Sequence, residues 1–85
     1  MIRIVVLYDM SNDRCRTKVA DICLDYGLDR DQYSVFVGQL KARQIRALSK
    51  ELRQQAKDDA YILILPISAD DWDKRIELGS PIHEL

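Results

Sequence analysis

Between two short apolar runs, Ile4-Val5-Val6-Leu7-Tyr8 and residues 60–67, the hydrophobic residues twice change to helical spacing. This alternation constrains the fold more than any single motif. A strand repeats its faces every second residue, whereas a helix does so about every 3.6. The first run, residues 2–8, is rich in β-branched side chains and reads as a buried strand. Ser11-Asn12-Asp13 follows, side chains suited to capping a helix, and Cys15, Val19, Ile22, Cys23 and Tyr26 then mark one stripe over 13–26. Gly27 stands where a left-handed cap would end that helix. Residues 28–40, with Tyr33, Val35, Phe36, Val37 and Leu40, form a bent strand or a short strand pair. Ile45, Leu48, Leu52 and Ala56 give a second helix at about 41–57, and 60–67 is a further strand that Pro66 limits near its end.

The order strand, helix, strand pair, helix, strand predicts an α+β fold of the ferredoxin-like βαββαβ plan, one antiparallel sheet with both helices on one face. The 85 residues suffice for a single domain over 1–85, its core at about 2–67. Farther on, Ile76 and Leu78 alternate with Arg75 and Glu77, so Trp72–Leu78 predicts an additional C-terminal strand within a tail of about 70–85. Such a strand needs an edge to pair with. A second protomer offers one, so a homodimer is expected. No apolar run approaches the roughly 18 residues of a membrane span and no signal-peptide pattern precedes the first strand. A cytoplasmic domain with no membrane partner is expected.

The net charge of −1 conceals an asymmetry: residues 1–57 carry eleven basic and seven acidic side chains, residues 58–85 two and seven. In the second helix Arg43, Arg46, Lys50, Arg53 and Lys57 step by three and four along one stripe, away from the Ile45/Leu48/Leu52 face. Such a stripe is either a solvated face or a binding surface for phosphates. Arg14 and Arg16, with Lys18 just beyond, form a second basic region at the start of the first helix.

Conventional catalytic sets are missing. His83 is the only histidine, close to the end of the sequence, and reads as a surface residue. Cys15 and Cys23, eight apart on an apolar stripe, read as packing residues. There is no CxxC and no glycine-rich phosphate loop. Asp70, Asp71 and Asp73 read as a solvated loop. Asp9 differs, being a carboxylate at the C-terminal end of a buried strand. Mg²⁺ takes oxygen ligands, and two Asp9 copies across a twofold axis would supply two. The alternative is that Asp9 accepts hydrogen bonds from the 10–13 loop. An RNA-recognition-motif reading fails for want of its glycine-aromatic pattern.

Val-Leu-Tyr-Asp-Met-Ser-Asn-Asp at 6–13, Gln-Tyr-Ser-Val-Phe-Val-Gly within 27–40 and Ile-Leu-Pro-Ile at 64–67 resemble the signatures of the CRISPR-associated Cas2 family. The resemblance runs from residue 2 to about 79. It implies a ferredoxin-like homodimer that acts in acquiring new CRISPR spacers, bridging two dimers of the Cas1 integrase and supporting duplex DNA. It also implies Mg²⁺-dependent endonuclease activity on single-stranded RNA or double-stranded DNA, with Asp9 as catalytic residue and as metal ligand shared with the partner protomer. Arg14, Arg16, Lys18, Arg30 and Phe36 match nucleic-acid-binding positions, with Tyr8 and Ser11 in support. Lys18 stands where some relatives have arginine, a point charge in place of a bidentate fork. With no histidine placed to act as base, hydrolysis would rely on the metal lowering the pKa of water. Two alternatives are a non-catalytic structural bridge between integrase dimers and a toxin-type ribonuclease of the related virulence-associated D family.

Overall fold

A computed structural model describes residues 1–57 and 60–80. Strand β1 (Ile2–Asp9) leads to helix α1 (Asp13–Asp25), strands β2 (Asp29–Gln32) and β3 (Val35–Leu40), helix α2 (Ala42–Arg53), strand β4 (Tyr61–Ile67) and a short helix α3 (Ala69–Asp73). The four strands form one antiparallel sheet in the order β2-β3-β1-β4, the strand order of the expected α+β plan. No helix among the described residues is long and apolar enough to cross a membrane.

The helix ends follow from their caps. Asn12 accepts the Cys15 N–H through its side chain at 2.9 Å and starts α1. Gly27, at φ +82°, ends it: its N–H bonds to the Leu24 carbonyl at 2.9 Å while the Leu28 N–H reaches the Cys23 carbonyl at 3.1 Å. This paired arrangement requires a left-handed residue, hence glycine. Helix α2 is shorter than its apolar spacing suggests. From Gln54 onward the bonds tighten to an i→i−3 pattern, with Gln55 N–H on the Leu52 carbonyl at 2.9 Å, so Lys57 lies past the helix. The strand pair of residues 28–40 turns at Tyr33-Ser34, with a bulge between Arg30 and Gln32.

One face of the sheet carries the core. Ile4, Val6, Tyr8 and Met10 pack with Phe36, Leu40 and Leu28 beneath Val19, Ala20, Ile22 and Cys23 of α1 and Leu48 and Leu52 of α2. Cys23 is fully buried and Cys15 half-buried against this core, both as free thiols. Gly38 is fixed by proximity: a Cβ there would stand 2.6 Å from Leu28 Cδ2 and 3.3 Å from Leu28 Cα.

Among the described residues, 72–78 do not form the additional C-terminal strand within the single chain. Residues 69–73 are helical instead, because the Ser68 hydroxyl caps the Asp71 N–H at 3.0 Å and Asp70 and Asp71 complement the dipole of the first turn. Trp72 therefore belongs to α3, and 75–78 form no ladder, leaving Ile76 and Leu78 84% and 91% exposed. Alternation alone does not make a strand when no edge pairs with it. Residues 81–85, including His83, lie outside the described residues.

Candidate functional site

Side chains alternate across a strand, so the partners of Asp9 follow from register. Asp9 lies opposite Tyr61, on the same side of the sheet as Val5 and Leu7 and away from the helices. It is exposed, and its carboxylate has no hydrogen-bond or ion-pair partner among the described residues. On this side β1, β3 and β4 present Val5, Leu7, Val35, Val37, Leu63, Leu65 and Ile67 in register. Among the described residues α1 and α2 lie on the other side, and only α3 reaches this face, at its Arg3 end, where Trp72 meets Arg3. Asp9 and Tyr61 stand at one end of it, Arg3 at the other, about 20 Å away at strand rise.

The loop after Asp9 is held by other residues. Arg16 donates through Nη1 to the Met10 carbonyl at 3.0 Å and the Ser11 carbonyl at 3.2 Å, and it pairs with Asp13. Much of its guanidinium thus organises the 10–13 turn. Ser11 is exposed within that turn. The alternative in which Asp9 itself braces the loop is thereby corrected: Arg16 and the Asn12 cap hold the turn.

The remaining site residues lie on the helix side. The Tyr8 hydroxyl donates to the Tyr33 carbonyl at 3.0 Å, and its ring stacks with Phe36 at 6.2 Å and 20°. Burial pushes the Tyr8 phenol up, against a partial opposing pull from the Arg30 guanidinium. Phe36 has no exposed surface. Its expected nucleic-acid contact is therefore corrected: a base has no ring face to stack on, and Phe36 instead supports Arg30, whose guanidinium carbon sits 5.0 Å from the ring centre. Arg16 and Arg30 converge on a groove of about 330 Å³ with Thr17, Ala20, Asp21 and Leu24. Arg14 and Lys18 flank a neighbouring depression that shares Thr17 and Asp21. The fold thus gathers four cations on the α1–β2 flank and leaves Asp9 on the opposite face.

Cys23 is not a nucleophile: burial raises its thiol to about 12. No cluster of three metal-ligating side chains occurs among the described residues. One Asp9 is a single hard oxygen ligand, suited to Mg²⁺ in kind but too few in number, and a second copy would double it. Sequence reasoning missed the open apolar face. Its signal was the unbroken run Ile4-Val5-Val6-Leu7, apolar on both sides of a strand whose helices cover only one. It also missed Trp72, held between Arg3 and Arg75 with guanidinium carbons 4.5 and 4.0 Å from its ring centre.

The family model of the CRISPR-associated protein Cas2 matches residues 1–75. The chain belongs to the Cas2 family. It is 45% identical over 74 residues to a CRISPR-associated endoribonuclease Cas2 of Chloroflexus aurantiacus, covering 85% of this chain and 87% of that one. A Thermoproteus tenax protein named a Cas1 endonuclease/Cas2 endonuclease fusion is 37% identical over 76 residues, 88% of this chain and 29% of the fusion. Among solved structures, Streptococcus pyogenes Cas2 superposes with a TM-score of 0.73 at 27% identity, covering 91% of this chain and 99% of that one.

Proposed function

We propose that this Cas2 chain acts as a homodimer that binds nucleic acid in CRISPR spacer acquisition and cleaves phosphodiester bonds with Mg²⁺ held between two Asp9 side chains. The observation that carries it is the position of Asp9, unpartnered, at the end of a sheet face that is apolar and uncovered. A self-complementary contact between two such faces, its twofold axis along the strands, would bury Val5, Leu7, Val35, Val37, Leu63 and Leu65 and bring one Asp9 from each protomer to the same end of the interface. The names of the Chloroflexus endoribonuclease and of the Thermoproteus fusion support nuclease activity and a Cas1 integrase partner.

Each residue then has a distinct task. Asp9 supplies the carboxylate oxygen for the metal. Arg16 fixes the turn that follows, and so the direction in which Asp9 leaves the strand. Arg14, Lys18 and Arg30 offer charge to phosphates, with Phe36 and Tyr8 supporting Arg30 from below. Bound Mg²⁺ would lower the pKa of an attacking water and offset charge on the scissile phosphate.

The test is a cleavage time course on labelled single-stranded RNA and duplex DNA with Mg²⁺, wild type beside Asp9→Asn. Cleavage lost in the variant and in chelator, with an unchanged dimer mass, supports the reading. Equal cleavage by both proteins removes Asp9 from the chemistry. The second reading, a structural bridge between integrase dimers, predicts no cleavage by either protein and full duplex binding by both.

A further inference from the structure

We infer that the exposed face of α2 is a second phosphate-binding surface, a straight cationic rail that takes the phosphodiester backbone of a nucleic-acid strand. Arg43, Arg46, Lys50 and Arg53 are all exposed on this helix. At about 100° per residue they fall within an arc of about 80°, opposite the buried Leu48 and Leu52. From 43 to 53 the rail is about 15 Å long at helical rise. Over that length one strand of a duplex carries about four phosphates.

The rail is uncompensated. None of the four is ion-paired among the described residues. Glu51, the one acidic residue of α2, is turned to the other side of the helix, where it accepts the hydroxyl of Tyr26, the residue that follows α1. Arg46, Lys50 and Arg53 surround a depression of about 470 Å³ lined also by Ile45 and Ser49.

A face serving solubility alone would intersperse the two signs. Here successive rail residues are like-charged neighbours three or four apart, which weakens an isolated helix. Lys50 and Arg53 suit the last turn, but Arg43 occupies the first, where the helix dipole opposes a cation and no acidic residue is present. Polyanion binding reverses each of these costs, because phosphates neutralise the row and release its counterions.

The inference rests on the proposed nucleic-acid binding and extends it to a surface distinct from the Asp9 end and the α1–β2 flank. The test uses the full chain with labelled duplex DNA and single-stranded RNA, titrated across salt. The variants are the quadruple Arg43→Gln, Arg46→Gln, Lys50→Gln, Arg53→Gln, and the charge-preserving Arg43→Lys, Arg46→Lys, Arg53→Lys. The glutamine variant is expected to lower the slope of log affinity against log salt by about 3, since each phosphate neutralised on a duplex adds about 0.9 to it. The lysine variant keeps the slope. Bound nucleic acid should also shield the Lys50 amine from acylation in the wild type and leave Lys74 reactive, which a long-range charge effect would not do. A weakening on one probe alone assigns the rail to that nucleic acid. An unchanged slope with Lys50 equally reactive on both probes overturns the rail and leaves the proposed function standing. Wild-type protein that binds neither probe at low salt overturns both.

Discussion

Arg30 rests on Phe36, its guanidinium carbon 5.0 Å from the centre of a ring that is itself wholly buried. A surface cation is thereby fastened to the core. Phe36→Ala should cost about 3–5 kcal/mol of stability, the range for deleting a buried aromatic ring. Arg30→Ala should cost less, about 0.5–1 kcal/mol for the cation–π contact together with the loss of its interaction with Tyr8. Urea unfolding of both single variants and the double variant checks this, with a non-zero coupling energy expected.

Gly38→Ala should destabilise the fold by about 1–3 kcal/mol, the range for overpacking. The added methyl would meet both the side chain and the backbone of Leu28. Trimming Leu28 to alanine in the same chain should not restore stability fully, since the 3.3 Å approach to Leu28 Cα persists. Thermal melts of Gly38→Ala, Leu28→Ala and the double variant decide the matter.

Arg16→Lys separates positioning from charge. The cation survives, but one ammonium cannot hold the Met10 and Ser11 carbonyls and Asp13 together as the separate Nη1 and Nη2 do. Cleavage should fall about tenfold or more, as misplacement of a catalytic group does. Affinity for nucleic acid should stay within about twofold, a difference of about 0.4 kcal/mol. A parallel fall in both would make Arg16 a direct phosphate ligand.

Leu65→Glu should yield a folded monomer. Leu65 faces the uncovered side of the sheet in register with Val5 and is 40% exposed in the single chain, so the glutamate remains hydrated there. In a face-to-face dimer it would be buried without a partner. Sedimentation should show half the wild-type mass with an unchanged far-ultraviolet spectrum.

The thiols predict both labelling and pH behaviour. At pH 8 a thiol reagent should modify Cys15 readily and Cys23 only on unfolding, since burial raises the Cys23 thiol to about 12. A folded-state value above the unfolded 9.0 means the contribution is complete below about pH 9 and is lost as pH rises toward 12. The raised Tyr8 phenol adds in the same direction. Unfolding free energy should therefore decline through that alkaline window, and Cys23→Ala should flatten the decline.

The alternation of periods made most of this fold readable. Ile4, Val6, Cys23 and Leu48 lie where their spacing puts them, and Gly27 ends α1 as a left-handed cap should. What stayed hidden depends on contacts remote in sequence. Ile76 and Leu78 alternate as a strand does, but no edge within the chain meets them. Phe36 reads the same whether its ring faces solvent or core, and only the pairing of Val6 with Phe36 decides it. Arg16 has the charge expected of a phosphate ligand, yet the sequence does not show that Nη1 is already taken by two carbonyls and Nη2 by Asp13.

Trp72, clasped between Arg3 and Arg75, is the only tryptophan in the chain. Arg3 belongs to the uncovered side of the sheet, so anything that closes over that side changes the solvent around the indole. The molecule thus carries a single built-in indole reporter, which excitation at the red edge separates from its four tyrosines. Its emission maximum should move on dilution if the two faces separate, and stay constant on cleavage at the far, Asp9 end.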